Sequence, residues 1–335
     1  MELLLLSISI IIFNLFIFLK FENISKNFIF FDRPDGKLKK HKNPTSLIGG
    51  LIILLNLYLI IFFLKILAFD NIIFEDNFSY VILILGTIFF IIGFIDDLKN
   101  LSPNIKLISI ITSVFLISIF FPEIKLEHIK ISFLKSNYSF EGFSLIFIIL
   151  SFALLANAIN MFDGINLQLI FFTLFIFLIF ILKGFLPIFF ILISISFIFL
   201  GLLNYKNKVF IGDGGCYLIS VIIGCSFIYQ YKNFDNFLYG DQIFLILLIP
   251  SLDMLRLFLV RIIKGKHPFK GDLKHLHHMV DNFVKNKNIT ILITISLCIF
   301  PSLLMLTGLE TYFILFLNLA IYLGLILFLE YKRLL

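Results

Sequence analysis

Three histidines within four residues, His275, His277 and His278, are the side chains of this sequence best suited to chemistry on an anionic ligand. They lie in a basic segment, residues 261–281, between two long apolar runs. Such histidines can bind zinc, bind phosphate or simply be solvated. The spacing is not the His-Glu-x-x-His of a metalloprotease, and no nearby cysteine completes a zinc set. Histidines beside a phosphate-bearing substrate therefore fit this segment better.

Acidic residues stand at the ends of two other apolar runs. Asp96 and Asp97 are adjacent and are followed by Lys106, whereas Asp213 lies among glycines in residues 211–215. Adjacent carboxylates on a helix point about 100° apart, so we expect a division of labour between them. Carboxylates at a membrane boundary suit Mg²⁺ or a base, although they can also be solvated acids or mark a helix kink. The glycines would leave the Asp213 carboxylate and nearby backbone amides open to a ligand.

The segment NAINMFDGIN, residues 157–166, carries a further set of polar side chains. Asn157, Asn160 and Gly164 are spaced i, i+3 and i+7, so they share one helix face, with Asp163 near it. Polar side chains are costly at an apolar boundary, which favours a function. The alternative is an ordinary helix cap and turn.

These segments interrupt a chain that is otherwise strongly apolar. Hydrophobic residues make up 60% of the 335 residues, against about 45–50% in soluble domains, and the mean hydropathy is +1.08. Because a spanning helix needs about 20 apolar residues, we predict an all-α integral membrane protein, a single domain over residues 1–335. About eleven spans are predicted, at residues 3–19, 46–68, 80–95, 106–121, 143–159, 167–183, 185–203, 209–229, 242–260, 289–307 and 311–329.

Lysine and arginine are distributed unequally between the two sides of these spans. The loops after odd-numbered spans, with their flanking span ends and the tail, hold 21 of the 27 such residues. Cytoplasmic loops carry the excess of basic residues. We therefore predict an outer N-terminus and an inner C-terminus, with the polar segments forming a site on the cytoplasmic face.

The first loop, residues 31–50, allows two interpretations. Its lysines and arginine are typical of a juxtamembrane segment that binds anionic lipid. Alternatively, Pro44, Thr45, Gly49 and Gly50 at the mouth of the second span would let exposed amides approach a phosphate-bearing ligand closely. The sequence leaves both interpretations open.

Taken in order, these five segments resemble the polyprenyl-phosphate N-acetylhexosamine-1-phosphate transferase family, glycosyltransferase family 4, over about residues 32–280. The matching elements are the Asp-Asp pair, Asn-x-x-Asn-x-x-Asp-Gly, Gly-Asp-x-Gly and His-x-His-His. Pro268, Phe269 and Asp272 look like the branch that transfers GlcNAc-1-phosphate.

The resemblance implies a role for each matching residue. Catalytic roles are implied for Asp96, Asp97, Asp163, His275, His277 and His278. Substrate binding is implied for Asn157, Asn160, Lys106, Asp272 and Lys274, and a metal site for Asp213 with Asp97.

The chain departs from the family pattern at five positions. Asn166 stands where a second aspartate is frequent, and Leu167 and Gln168 replace Gly-Leu. Cys216 replaces a serine, and Leu273 replaces an arginine. These departures bear on which sugar is used and leave the metal-site residues intact.

The resemblance also implies the reaction and its partners. A UDP-N-acetylhexosamine would donate its sugar-1-phosphate to undecaprenyl phosphate, releasing UMP, with Mg²⁺ or alternatively Mn²⁺ as cofactor. Two anions must meet, so charge neutralisation is the main task. A multi-pass protein of the bacterial inner membrane is expected, with membrane lipid as a partner, a homodimer left open and no nucleic acid.

Two other classes of function compete with this interpretation. A transporter also carries intramembrane acids and glycine-broken helices, but its site usually lies near the membrane midplane. An inactive scaffold of the same fold is the second alternative, in view of Asn166 and Leu273.

Overall fold

The computed structural model describes residues 2–27, 30–32, 44–67, 73–134, 137–234, 238–266, 268 and 273–334. Within these ranges the chain is mostly helical. The helices are α1 Glu2–Asn27, α2 Gly49–Ile66, α3 Asp76–Lys99, α4 Pro103–Phe120, α5 Ser144–Phe162, α6 Gln168–Leu182, α7 Pro187–Tyr205, α8 Gly212–Asn233, α9 Gly240–Ile246, α10 Leu248–Ile263, α11 Leu276–Val284, α12 Lys287–Met305 and α13 Thr311–Leu334.

Nine helices in the described part of the chain are long and apolar enough to cross a membrane, namely all except α6, α9, α10 and α11. Helices α9 and α10 meet at a 75° bend and make a tenth span if they are one broken helix. With 15 residues, α6 is about 22 Å long, shorter than the roughly 30 Å hydrocarbon core. Each of the eleven predicted segments overlaps one of these elements. The all-α membrane fold is therefore confirmed, while the count of eleven and the orientation remain predictions.

Helix α8 forms the centre of the bundle. Of its most apolar stretch, 89% is buried inside the protein, against 22% for α1. It packs against α2, α3 and α5. Small residues allow this close approach, because helices in a membrane associate through tight packing. A Cβ on Gly93 of α3 would lie 2.4 Å from the carbonyl carbon of Asp213, so this glycine lets the acidic end of α3 reach the start of α8.

Gly49 and Gly50 at the start of α2 also pack against the chain that enters α8. The Gly49 N–H donates to the carbonyl of Phe210 at 3.2 Å, and the Gly50 N–H donates to that of Ile211 at 3.0 Å. The hypothesis that these two amides face a phosphate is therefore wrong, because backbone carbonyls already occupy them. The basic residues at 33–43, on which the lipid interpretation depends, lie outside the described residues.

Two short antiparallel strand pairs accompany the helices. Strand β1, Phe31–Asp32, pairs with β2, Thr45–Ser46, and β3, His128–Lys130, pairs with β4, Asn137–Ser139. The first pair positions the Asp32 side chain at the edge of the cavity described below.

A buried pair of amides joins α1 to α2. Asn14 Nδ2 donates to Asn56 Oδ1 at 2.7 Å, and Asn56 Nδ2 donates back to Asn14 Oδ1 at 3.1 Å. We expect Asn56→Leu to destabilise the protein by about 0.6–2 kcal/mol, because the buried Asn14 amide loses its partner. Thermal unfolding in detergent measures this. The double variant Asn14→Leu/Asn56→Leu should recover most of the loss, since removing both partners is nearly neutral; an equal or larger loss would contradict the pairing.

The connection from α5 to α6 contains the departures at positions 167 and 168. Leu167 adopts a left-handed conformation with φ of 70°, a backbone geometry that favours the glycine usual there. Gln168 is fully buried, and neither its Nε2 nor its Oε1 has a hydrogen-bond partner among the residues that the structure describes. This chain therefore carries a buried polar group where the family carries leucine.

We expect Gln168→Leu to raise stability by about 1–3 kcal/mol, because it removes an unpaired buried amide. The unfolding temperature in detergent measures the gain. Thr173→Val is the matched control, since this buried hydroxyl of the same helix already donates to the Leu169 carbonyl at 2.9 Å. A Gln168→Leu variant no more stable than the Thr173→Val variant would show that the amide is not a source of instability.

Candidate active site

Asp97, in the last turn of α3, binds the first turn of α8 through both carboxylate oxygens. Its Oδ1 accepts the Asp213 N–H at 3.0 Å, and its Oδ2 accepts the Gly214 N–H at 3.2 Å. Carboxylates at a helix N-terminus satisfy otherwise unpaired amides. The expectation that the glycines leave nearby backbone amides open to a ligand is therefore wrong for the amides of Asp213 and Gly214, because both donate to Asp97. The Asp213 carboxylate itself faces the cavity.

Asp96 has different partners from its neighbour, as the angle between adjacent helical side chains requires. It forms an ion pair with Lys106, and its Oδ1 accepts the Leu101 N–H at 2.8 Å. Lys106 Nζ also lies 3.8 Å from Asp213 Oδ2. Lys106 therefore links the carboxylates of α3 and α8 and offsets part of their mutual repulsion.

Asp163 follows the last residue of α5 and faces the start of α8. Its Oδ2 accepts a hydrogen bond from the Cys216 thiol, with 3.5 Å between sulfur and oxygen. Burial and, to a smaller extent, the nearby charge of Asp97 raise the pKa of Asp163, whereas the Cys216 hydrogen bond lowers it, and the net result is a pKa of about 7. The cysteine that replaces the usual serine therefore contacts the Asp163 carboxylate directly.

The two asparagines of α5 lie on the same side as Asp163. Asn157 Nδ2 donates to the Ala153 carbonyl of its own helix at 2.7 Å, which leaves its oxygen available. Asn157, Asn160 and Gly164 line one cavity. The predicted common helix face holds only for the two asparagines, because α5 ends at Phe162 and Gly164 lies beyond it.

The three histidines form a compact group at the start of α11. The rings of His275 and His277 are stacked with centroids 5.5 Å apart, and those of His277 and His278 are 4.2 Å apart. His277 is 2% exposed, and a Cβ on Gly164 would lie only 1.8 Å from its Nε2. Burial, together with His278 and His275, holds the pKa of His277 well below its usual range, so its ring is neutral at pH 7.

Two adjoining cavities collect these side chains. The larger, about 620 Å³, is lined by residues including Asp96, Asp97, Lys106, Asn160, Asp163, Asp213 and His278. The smaller, about 290 Å³, is lined by residues including Lys106, Asn157, Asn160, Asp163, Asp213, His275, His277 and His278. Eleven of the twelve predicted positions are described, and ten of them line one cavity or both. Lys274 lines neither of the two, and Asp272 lies outside the described residues.

Several lining residues were missed by the sequence analysis. Asp281, Asn282 and Lys287 line the larger cavity, and Tyr217 and Arg261 line the smaller one. Arg261 and Asp281 are the first and last residues of the polar histidine segment, so their place in the sequence could have identified them as candidates. Nothing in the sequence singles out Tyr217, because it lies within an apolar run.

The donor chemistry of the larger cavity fits a hard divalent cation. It combines oxygen ligands from Asp97, Asp163 and Asp213, and such carboxylates suit Mg²⁺ or Mn²⁺. Among the residues that the structure describes, no three acidic, histidine or cysteine side chains stand together as a ready metal site. This arrangement suits Mg²⁺, which is usually bound by one or two carboxylates and completed by substrate phosphates.

Comparison with known proteins agrees with this geometry. Residues 79–231 match the model of glycosyl transferase family 4, a segment that contains four of the six aspartates lining the larger cavity, namely Asp96, Asp97, Asp163 and Asp213. The chain is 25% identical to an undecaprenyl-phosphate alpha-N-acetylglucosaminyl 1-phosphate transferase of Thermotoga maritima over 275 residues, 80% of this chain and 79% of the relative. Proteins of the same name from Salmonella typhi and Escherichia coli are 32% and 31% identical over 81 residues, 24% of this chain and 22% of theirs. The resemblance stated from the motifs is confirmed.

Proposed function

We propose that this chain, a glycosyl transferase family 4 protein over residues 79–231, is a transferase that moves a sugar-1-phosphate from a UDP-sugar to a polyprenyl phosphate. GlcNAc-1-phosphate or a related N-acetylhexosamine phosphate is the group transferred, and undecaprenyl phosphate is the acceptor. The observation that carries the proposal is that Asp96, Asp97, Asp163, Asp213, Lys106 and His278 line one cavity. The relatives' names support the same class of reaction.

The reaction exchanges one phosphorus–oxygen bond for another. An oxygen of the polyprenyl phosphate attacks the sugar-bearing phosphorus of the UDP-sugar. The bond from that phosphorus to the bridging oxygen breaks, and UMP leaves with the electron pair. The products are a polyprenyl diphosphate sugar and UMP. Because the second pKa of a phosphate is near 6, much of the acceptor is already dianionic at neutral pH. Positioning therefore matters more than removal of a proton.

Lys106 and the histidines supply the donors for these phosphates. Lys106 lines both cavities, so its ammonium is placed to contact an anion in either. His278 also lines both, whereas His275 and the neutral His277 line the smaller one. Preorganised donors of this kind stabilise charge that develops in the transition state. Asn157 and Asn160 offer amide groups to the nucleotide sugar.

Asp213 with Asp97 would hold Mg²⁺, and substrate phosphates would complete its oxygen ligands. When bound, the ion supplies Lewis-acid polarisation of the diphosphate. The backbone amides of Asp213 and Gly214 orient the Asp97 carboxylate, which lines the larger cavity. Asp96 is held by Lys106 and Leu101 and orients Lys106 towards Asp213.

The membrane setting follows from the acceptor lipid. Its apolar tail would lie between spans while its phosphate reaches the cavity at the helix ends. A multi-pass protein of the bacterial inner membrane, with the site on the cytoplasmic side, is part of the proposal.

The test uses detergent-solubilised protein, undecaprenyl phosphate, Mg²⁺ and a panel of UDP-sugars, with UMP release as the readout. We expect UMP from an N-acetylhexosamine donor, and no UMP after EDTA is added. A folded protein that releases no UMP from any donor would contradict the proposal.

A further inference from the structure

A buried carboxylate outside the two cavities holds the histidine segment in place. Asp253, on α10, is 6% exposed, and its two oxygens accept four hydrogen bonds. Oδ1 accepts from Arg256 Nη2 at 2.7 Å, Tyr322 Oη at 3.0 Å and the Leu276 N–H at 3.1 Å. Oδ2 lies 3.0 Å from His275 Nδ1. A carboxylate this enclosed is costly unless its partners satisfy it, which these do.

Arg256 holds the other side of the same histidine. Its Nη2 also donates to the Lys274 carbonyl at 2.7 Å, and its Nε donates to Tyr322 Oη at 2.9 Å. The backbone on both sides of His275 is therefore bound by the Asp253–Arg256 pair, through Lys274 before it and Leu276 after it. Asp253 and Arg256 are three residues apart on α10, a spacing at which helical side chains are neighbours.

The hydrogen bond to Asp253 sets the proton on the His275 ring. Because the carboxylate paired with Arg256 accepts and does not donate, His275 Nδ1 must carry the hydrogen. The other ring nitrogen, Nε2, is then the one left for a ligand. A carboxylate behind a histidine commonly selects its tautomer and ring orientation in this way.

The same contact sets the direction of α11. His275 is the residue before the helix, and Leu276 is its first residue. By binding the Leu276 N–H, Asp253 caps this helix from outside. His277, one residue later, packs against Gly164 beside Asp163. A shift of the cap would therefore move the histidines relative to the carboxylates.

We propose that Asp253, Arg256 and Tyr322 are positioning residues that hold His275 as its Nδ1–H tautomer and fix the histidines against the Asp163 loop. Through Tyr322, α13 also helps to hold the histidines, although this helix is distant in sequence from the other site residues. The kinetic part of the inference rests on the proposed function, whereas the tautomer part does not.

The tautomer is tested on full-length protein in detergent, with ¹⁵N-labelled histidine and NMR detection of the ring nitrogens. The His275→Gln variant assigns the His275 signals. We expect His275 Nδ1 to be protonated in the unaltered protein. In Asp253→Asn we expect this preference to be lost, because an amide can either donate a hydrogen bond to the ring nitrogen or accept one from it. An unchanged tautomer in Asp253→Asn would overturn the inference.

The kinetic test separates a positioning role from simple loss of stability. We expect Asp253→Asn to lower kcat by about 10–100-fold, with a much smaller change in the KM for the UDP-sugar. The double variant Asp253→Asn/His275→Gln should be no slower than His275→Gln alone, because Asp253 acts through His275. Fully additive losses would overturn the inference. Tyr322→Phe removes one of four donors and should have a smaller effect.

Asp241→Asn is the matched control for loss of a hydrogen-bonded carboxylate. Asp241 accepts the Ser132 N–H at 2.9 Å and the Thr311 hydroxyl, and it lines neither cavity. We expect this variant to lower the unfolding temperature while kcat and the His275 tautomer stay unchanged. If the unaltered protein releases no UMP, the proposed function fails, and the tautomer measurement still decides this inference.

Discussion

Asp213→Asn is expected to lower Mg²⁺-dependent UMP release by at least about 10²–10³-fold, because the variant loses a proposed metal ligand that lines both cavities. We expect the fold of the Asp213→Asn variant to be intact. The Asp213 backbone N–H, which Asp97 accepts, is unaltered, and the side chain's ion pair with Lys106 is long, at 3.8 Å. Replacing this carboxyl group, which lies beside Asp96 and Asp97, also relieves repulsion among the three. The unfolding temperature should therefore stay the same or rise while activity is lost.

The measurements are UMP release over a range of Mg²⁺ concentrations and thermal unfolding of the same preparation. Asp76→Asn is the control, because Asp76 is at the opposite end of α3 and pairs with Lys65 on the surface. It should retain full activity. Near-normal turnover in Asp213→Asn would remove Asp213 from the metal role, and a large fall in unfolding temperature would assign it a structural one.

Gly164→Ala is expected to have the second largest effect. An added Cβ would lie 1.8 Å from His277 Nε2, 2.4 Å from Cε1 and 2.6 Å from Cδ2, so the ring or the Asp163 loop must move. Overpacking of this kind typically costs about 1–3 kcal/mol. Because Asp163 adjoins Gly164 and His278 adjoins His277, the same movement should lower activity by about 10²-fold, as small misplacements in active sites do.

Two further variants separate the clash from a general effect of the substitution. Gly142→Ala places a Cβ in open space and should leave unfolding temperature and UMP release unchanged. The double variant Gly164→Ala/His277→Ala removes the ring that the new methyl group meets, so it should be more stable than Gly164→Ala alone. No recovery of stability in the double variant would contradict the contact between Gly164 and His277.

The position of the site also bears on the transporter alternative. Asp96 and Asp97 lie in the last turn of α3, Asp163 follows α5, and Asp213 begins α8. Transporter sites usually lie near the membrane midplane at broken helices. Carboxylates gathered at helix ends, beside a lysine and histidines, favour chemistry on phosphates at the membrane surface.

The membrane fold and most of the site could be predicted from the sequence alone, for a local physical reason. In hydrocarbon, the backbone must satisfy its own hydrogen bonds, so long apolar runs must be helices. Charged and amide side chains that interrupt such runs are costly, so Asp96, Asp163, Asp213 and the histidines stand out without any structure. The contact between Asp253 and Arg256 is local in the same sense, because residues three apart on a helix are neighbours.

What the tertiary structure alone decided is which partner each polar group takes. Asp97 binds the amides at the start of α8, and the Gly49 and Gly50 amides, which were expected to approach a phosphate, donate to backbone carbonyls instead. Tyr322 joins Asp253 from 69 residues away, and His277 depends on the absence of a side chain at Gly164. Such contacts arise where helices that are distant in sequence come together, and their geometry is set by packing. The residue types and their spacing along one helix do not predict the geometry of these contacts.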